Sequence, residues 1–255
     1  MRFERLADLV GERQQGARRA LGPQVREVLG DHPTGSADDE VEQKLAAAEK
    51  LPPPDPNAPP APSVIADYGP ALEQWEKILT EFPAYRQTPS TLYLLAYYGK
   101  MKDERKSLQI FLALACANKF KWSDKPFAPP TRAEALKRVE AKTLRDPYSD
   151  CQPYPNAETE LVRHAWVRGV ADYHFTVPGE IDDGIAAYLK VAEGGKDSKL
   201  YAEALYKLAW SYYKRDRMPE SIKRFDESVK LYDSLVAAGG TPALELRDES
   251  IQYIS

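Results

Sequence analysis

The sequence predicts an all-α protein, and three observations lead to that fold class. Apolar residues recur every three or four positions from Val64 onward, which is the period of a helix. Val, Ile and Thr never form an alternating run bounded by turn residues, so no strand is expected. Large and small residues also alternate at fixed spacings in several segments, which is typical of antiparallel helix pairs that pack closely.

The first 63 residues are expected to be separate from this helical region, residues 64–255. Residues 1–50 have thin apolar stripes broken by glycine and proline, which predicts a partly helical and loosely attached segment. Residues 51–63 are predicted to be a Pro-rich linker, because seven of the twelve residues from Leu51 to Pro62 are proline and lack a backbone donor. A ligand for an SH3 or WW domain is the alternative interpretation, although no basic anchor flanks the prolines.

The clearest helix pair is predicted near residues 205–228. Its core positions follow the spacing of two helices joined by a turn, and they are Leu205, Leu208, Ala209, Tyr212, Ser221, Phe225 and Ser228. The small residues among them let two antiparallel helices approach, and the large ones fill the space beside them.

The same pattern recurs elsewhere along the chain. A pair with a turn one residue shorter is predicted at Leu92, Leu95, Ala96, Ser107, Phe111 and Leu114. A pair with about three inserted residues is predicted at Ala165, Arg168, Gly169, Gly184, Tyr188 and Val191. A second helix alone is predicted at Ala71, Trp75, Ile78 and Pro83, and a further first helix at Ile251, Ile254 and Ser255 after a start at Thr241-Pro242. The pattern therefore predicts repeated helix pairs along the chain.

An insertion at Ala117–Glu160 interrupts the repeats. Thr131 and Glu134 match a capping box, which predicts a short helix between flanking prolines. Stacked repeats tolerate such an insertion because each unit contacts only its neighbours. We expect the insertion to lie on a loop edge or to cap the groove that the repeats form.

Composition excludes two classes of function. Lys and Arg total 35 against 39 Asp and Glu, so the formal charge of −4 offers no positive field for nucleic acid. No stretch approaches the roughly 20 apolar residues that cross a bilayer, so no integral membrane span is expected. The expected partners are protein or peptide segments.

No catalytic, metal or cofactor site is predicted from the reactive residues. His32, His164 and His174 are not spaced as metal ligands, and no phosphate-binding glycine motif occurs. Cys116 lies in an apolar helix, where a buried thiol is expected, and Cys151 follows Asp150, which disfavours its thiolate. A disulfide between the two cysteines stays open, because it requires the insertion to fold back and an oxidising compartment.

The repeated positions resemble the tetratricopeptide (TPR) repeat, which reads W-x2-L-G-x2-Y, then A-x3-F, then P. Leu205 stands at the Trp position, Ala209 at the Gly position and Ser221 at the Ala position, while Asp233 replaces the closing Pro. The resemblance covers about residues 64–255 and is most specific in 161–235. It implies a TPR-like α-solenoid of antiparallel helix pairs.

The resemblance also implies a partner-binding groove, because first-helix residues one and five positions after the core Trp or Leu line the concave side of TPR proteins. The chain has 15 Tyr, 4 Trp and 7 Phe, more than the helix seams require. The residues expected in this aromatic-lined groove are Tyr93, Tyr97, Trp166, Val170, Tyr173, His174, Tyr206, Trp210, Tyr213 and Lys214. Chaperone-tail binders of the family carry a Lys and Asn pair there, so binding of an acidic chaperone tail is not expected.

Three further segments are similar to TPR proteins of the bacterial cell envelope, including those of gliding-motility and outer-membrane-assembly systems. They are Asp146-Pro-Tyr-x-Asp-Cys151, Ala165-Trp-Val-Arg-Gly-x-x-Asp-Tyr-His-Phe175 and Ile185-Ala-Ala-Tyr188. This similarity implies a periplasmic or outer-membrane-associated protein, whereas no signal peptide is visible and the cytoplasm is the alternative.

The function expected from the sequence is a non-catalytic scaffold or adaptor that binds partner segments in the groove. A structural subunit that tethers an envelope complex is one alternative, and an accessory region of an enzyme with its catalytic part elsewhere is another. Because Ile251 and Ile254 begin a first helix without its pair, we expect the chain to be cut from a longer array. We also expect the exposed end to favour self-association.

Overall fold

The computed structural model describes residues 67–194, 196–239 and 247–254. The predicted N-terminal segment 1–50, the Pro-rich linker 51–63 and the helix start at Thr241-Pro242 lie outside these ranges. The chain divides into two compact units, residues 1–83 and residues 84–255. In the described part of the first unit, helix α1 spans Gly69–Glu81 and buries Ala71, Trp75 and Ile78, three of the positions predicted for a second helix.

The described part of the unit 84–255 is helical and contains no strand. Its helices are α2 (Thr88–Gly99), α3 (Glu104–Ala115), α4 (Arg132–Glu140), α5 (Thr159–His164), α6 (Asp172–Thr176), α7 (Ile181–Ala192), α8 (Tyr201–Lys214), α9 (Met218–Ala237) and α10 (Arg247–Gln252). A π-helical segment, Ala165–Ala171, joins α5 to α6 without a break. The predicted all-α class is confirmed for the residues described.

Local sequence signals explain where several helices begin. The Asp103 carboxylate accepts hydrogen bonds from the backbone N–H groups of Arg105 and Lys106 and so caps α3. Thr131 and Glu134 form the predicted capping box at the start of α4, with each side chain bonded to the other residue's backbone. These bonds satisfy donors that the first turn of a helix leaves unpaired.

Two pairs of consecutive helices pack closely together. α2 packs against α3 and α8 against α9, and in each pair a serine of the second helix bonds to a carbonyl of the first. Ser107 Oγ donates to the Ala96 carbonyl at 2.6 Å, and Ser221 Oγ donates to the Ala209 carbonyl at 3.0 Å. Ala96 and Ser107 in one pair, and Ala209 and Ser221 in the other, therefore lie where the two helices contact each other.

The π segment packs between α3 and α7. Its Gly169 faces the ring of Phe111, and a Cβ built on Gly169 would lie 2.2 Å from Phe111 Cγ. Only a residue without a side chain fits this contact. Gly169 therefore sets how closely α3 approaches the segment.

Candidate partner-binding surface

The structure separates the ten residues predicted to line a groove into two groups. Five are buried, so their side chains offer almost no surface to a partner: Tyr93, Trp166, Val170, Tyr173 and His174. The other five are exposed or half-buried: Tyr97, Tyr206, Trp210, Tyr213 and Lys214. Of the ten predicted residues, only those of the second group can contribute to an accessible surface.

The insertion explains much of this burial. Tyr148, which lies in the insertion, is itself buried, and its ring centroid is 5.1 Å from that of Trp166. Val170 is enclosed because the π segment packs against both α3 and α7. The π turn also adds one residue, which rotates the residues after it by about 100° relative to a continuous α-helix. The sequence analysis allowed the insertion to cap the groove, but its choice of groove residues took account of neither that cover nor the π turn.

His174 belongs to a buried hydrogen-bond chain rather than to a groove. Its Nε2 lies 2.8 Å from the hydroxyl of Tyr148, and its Nδ1 lies 2.8 Å from Oε2 of Glu180. Burial, with the nearby charges of Asp183 and Glu180, raises the pKa of Tyr148 well above its usual value. Tyr148, His174 and Glu180 are all buried, and their hydrogen bonds hold the insertion against α6 and the start of α7.

A second anchor of the insertion is the side chain of Arg215, between α8 and α9. Its Nε lies 2.6 Å from Oδ1 of the buried Asp182. Its terminal nitrogens donate to backbone carbonyls at the end of α4, those of Arg138, Val139 and Ala141. One guanidinium thus neutralises a buried carboxylate and caps the insertion helix.

The two cysteines form the third anchor. Cys116, at the C-terminal end of α3, and Cys151, in the insertion, are joined by a disulfide, with their Cα atoms 4.5 Å apart. The pairing that the sequence left open therefore occurs, and Cys116 is buried as the apolar context predicts. The insertion folds back onto the end of the helix from which it departs.

The accessible aromatic residues form a surface at the C-terminal end of the unit. We define the C-terminal aromatic surface as Tyr206, Trp210, Tyr213 and Tyr253. The Tyr253 ring lies 4.5 Å from Trp210 and 5.9 Å from Tyr213 between centroids, and the Tyr206 ring lies 6.4 Å from Trp210. These contacts hold the rings in place. Tyr213 and Tyr253 nevertheless keep 42% and 40% of their surface exposed to solvent.

Tyr253 was missed by sequence reasoning, which singled out Ile251 and Ile254 near the same end. The aromatic residue in the last described turn, close in sequence to those apolar positions, was the available signal. Burial and a hydrogen bond with Glu249, in α10, raise the pKa of Tyr206 to about 12. Tyr206 and Glu249 therefore also link α8 to α10.

A smaller aromatic group lies on α2. The rings of Tyr93 and Tyr97 stack with centroids 6.0 Å apart, and Tyr97 keeps 44% of its surface exposed. Burial and the neighbouring hydroxyl of Tyr97 raise the pKa of Tyr93 to about 12, against the opposing effect of Arg168. Tyr97 is thus the accessible member of this group.

Cations beside these aromatic groups are paired within the chain. Arg168 contacts Glu203 at 2.6 Å, and Lys207 contacts both Glu203 at 2.9 Å and Asp172 at 2.8 Å. Lys214 Nζ lies 3.5 Å from the centroid of the Phe175 ring. Arg168 and Lys207 consequently add little net positive charge that could attract an acidic partner, whereas the contact of Lys214 with an aromatic ring leaves its charge uncompensated.

Comparisons with known proteins do not assign the chain to a family. No protein-family model matches it, and no curated protein or solved structure is significantly similar to it. In the residues described, each helix is too short or too polar to cross a bilayer. Across those same ranges, no three His, Cys, Asp or Glu side chains are grouped so that they could hold a metal ion.

Proposed function

We propose that the unit 84–255 is a non-catalytic, TPR-like interaction domain that binds segments of other proteins on the C-terminal aromatic surface. The observation that carries the proposal is the exposure of ordered rings there, with Tyr213 and Tyr253 each about two-fifths exposed. Folded proteins rarely expose large contiguous apolar patches, and such patches often mark interaction sites.

The chemistry of these side chains suits recognition of a protein segment. Tyr and Trp give a large contact area, lose little conformational entropy on binding and keep a polar group at the ring edge. The edge-to-face contacts among Tyr206, Trp210 and Tyr213 hold the rings before a partner arrives. Such preorganisation lowers the entropic cost of association.

The ion pairs that Arg168 and Lys207 already form within the chain favour an apolar or aromatic segment over an acidic tail. Lys207 and Arg168 already contact Asp172 and Glu203, so an incoming carboxylate would have to replace an existing ion pair. The proposed partner therefore presents apolar side chains to the rings. A role in a bacterial cell-envelope complex rests on the similarity of the three segments described above.

Site-specific photo-crosslinking in the source cells tests this proposal. A photoreactive phenylalanine analogue placed at Tyr213 should yield covalent adducts with one or a few partner chains. The matched control carries the analogue at Met101, which is 96% exposed and lies between α2 and α3, away from the aromatic surface. Equal adducts at the two positions, or none at Tyr213, would contradict the proposal.

An alanine variant separates binding on this surface from a purely structural role. Tyr213→Ala should abolish the adduct formed by a probe at Tyr253, while leaving the helical circular dichroism unchanged. A variant that folds normally and still captures the same partner would favour the structural-subunit alternative.

A further inference from the structure

The disulfide closes the insertion at its base, and its two cysteines differ in accessibility. Cys116 ends α3, donates its backbone N–H to the Leu112 carbonyl at 2.7 Å and is fully buried. Cys151 lies on the returning part of the insertion and is only partly buried. A reagent in solution can therefore approach Cys151 but not Cys116 while the unit is folded.

Hydrogen bonds align the two cysteines independently of the disulfide. The backbone N–H of Ala117 donates to the Gln152 carbonyl at 2.8 Å, and that of Tyr154 donates to the Leu114 carbonyl at 2.8 Å. The Asn118 side chain donates to the Asp150 carbonyl and accepts from the Gln152 N–H, each at 2.8 Å. Four bonds thus join the two segments on either side of the cysteines.

The remaining anchors of the insertion are also noncovalent. Tyr148 contacts His174, and Arg215 contacts the end of α4. The insertion can consequently fold back before its cysteines are oxidised. The two thiols then lie next to each other where the insertion contacts the end of α3, and the Cys116 thiol is the buried one.

We propose that Cys116 and Cys151 form a modification site for a disulfide donor of the thiol–disulfide oxidoreductase class, with Cys151 as the entry thiol. This proposal does not depend on the proposed binding function. It places the working protein in an oxidising compartment, because structural disulfides persist there and are rare where thiols are kept reduced.

The reaction proceeds by two exchanges. The Cys151 thiolate attacks the donor's disulfide, which breaks the donor S–S bond and forms a mixed disulfide between Cys151 and the donor. The Cys116 thiolate then attacks Cys151 Sγ, which forms the Cys116–Cys151 bond and releases the donor as a dithiol. Two protein thiols are oxidised, one donor disulfide is reduced, and the two protons that the protein thiols lose are gained by the donor sulfurs.

Two single variants test the order of attack, with oxidised glutathione as the probe. Cys116→Ala leaves the thiol of Cys151, and Cys151→Ala leaves that of Cys116, so neither variant can form the internal disulfide. Because glutathione in solution reaches the partly exposed Cys151 more easily than the buried Cys116, the Cys116→Ala protein should be glutathionylated on the order of tenfold faster or more than the Cys151→Ala protein. Equal rates, or faster modification of the Cys151→Ala protein, would overturn the proposal.

The wild-type chain gives the same test if either variant fails to fold. Reduced protein is exposed briefly to oxidised glutathione and quenched with acid, and the adduct is located by peptide mass spectrometry. An adduct on Cys151 supports the proposal, whereas a first adduct on Cys116 refutes it.

Thiol trapping in the source cells tests the compartment. Cells are treated with a membrane-permeant alkylating agent before lysis, and the protein is then mapped with and without reduction. Both cysteines should be protected from the agent until reduction. Alkylation of Cys116 and Cys151 in most of the protein would show a reducing compartment and overturn the proposal.

Discussion

Ser221 Oγ lies 3.0 Å from the carbonyl oxygen of Ala209, and Ser107 makes the same contact with Ala96 in another helix pair. Both serines are buried, and each hydroxyl reaches from the second helix of a pair to the first. The contact repeats although the two turns differ by one residue in length. The same contact between a serine hydroxyl and a backbone carbonyl thus joins the helices of two pairs in the unit.

We predict that Ser221→Ala and Ser107→Ala each lower the free energy of unfolding by about 0.5–1.5 kcal/mol, the net value of an intramolecular hydrogen bond. The control is Ser234→Ala, because the exposed Ser234 hydroxyl bonds only to Leu231 in its own helix. Urea denaturation measures the three changes. If Ser234→Ala loses as much unfolding free energy as the two buried-serine variants, the hydrogen bond between helices makes no specific contribution to stability.

The size of the residue at Ala209 should matter as much as the hydrogen bond. Ala209 is fully buried where α8 approaches α9. Ala209→Leu should overfill this space and cost about 1–3 kcal/mol of unfolding free energy. An unchanged thermal midpoint would show that Ala209 does not lie at a close approach.

Two glycine substitutions should have opposite effects. In Gly169→Ala the new Cβ would lie 2.2 Å from the Phe111 ring, so a cost of about 1–3 kcal/mol or more is expected. In Gly184→Ala the nearest atoms lie 3.4 Å away, and replacing a helical glycine should stabilise by up to about 1 kcal/mol. Thermal denaturation of both variants tests this contrast. Midpoints that shift equally and in the same direction would refute it.

Removing Arg215 should destabilise the unit more than removing an exposed cation. In Arg215→Met the buried Asp182 carboxylate would keep only the backbone N–H of Arg145 as a donor. Breaking a buried pair in this way costs about 3–5 kcal/mol. The control Lys230→Met breaks an exposed pair with Asp226 and should cost about 0–1 kcal/mol. Chemical denaturation measures both changes. Similar losses of unfolding free energy for the two variants would show that the Arg215–Asp182 pair contributes no more than an exposed ion pair.

Asp183 should make stability depend on pH. Burial raises the pKa of its carboxyl in the folded state, against the opposing effects of His174 and Arg145. A raised folded pKa means that the folded chain binds this proton more tightly than the unfolded chain does. The favourable contribution is therefore complete below the unfolded pKa of about 3.9 and is lost as the pH rises through the folded value.

Asp183→Asn cannot ionise and keeps an oxygen that accepts the hydrogen bond from Arg145. Relative to wild type, this variant should gain unfolding free energy as the pH rises from about 4 to about 7. Denaturation curves at several pH values give the difference. A difference that stays constant, or that falls with pH, would rule out a raised pKa at Asp183.

Helix positions were predictable because they depend on local signals. The capping pair Thr131 and Glu134 lies close in sequence, and the Ala209–Ser221 contact follows from periodicity and residue size. The burial of Trp166 and His174 was not predictable in this way. It depends on Tyr148, which is 26 residues from His174 in the chain and is placed by the fold-back of the insertion.

The candidate surface was predictable only in part for the same reason. Tyr206, Trp210 and Tyr213 lie on one regular helix, so their spacing was enough to group them. The contribution of Tyr253 depends on how α10 packs against α9. The disulfide likewise joins residues 35 positions apart, and spacing alone left that pairing open.

The Cys116–Cys151 bond makes the intervening chain a covalent ring with a mechanical consequence. A pulling force applied to the two ends of the unit passes through the bond and bypasses the ring. The 35-residue separation represents about 120 Å of extended chain that stays out of the load path until the bond is reduced. The insertion therefore adds surface to the unit without adding to its length under tension.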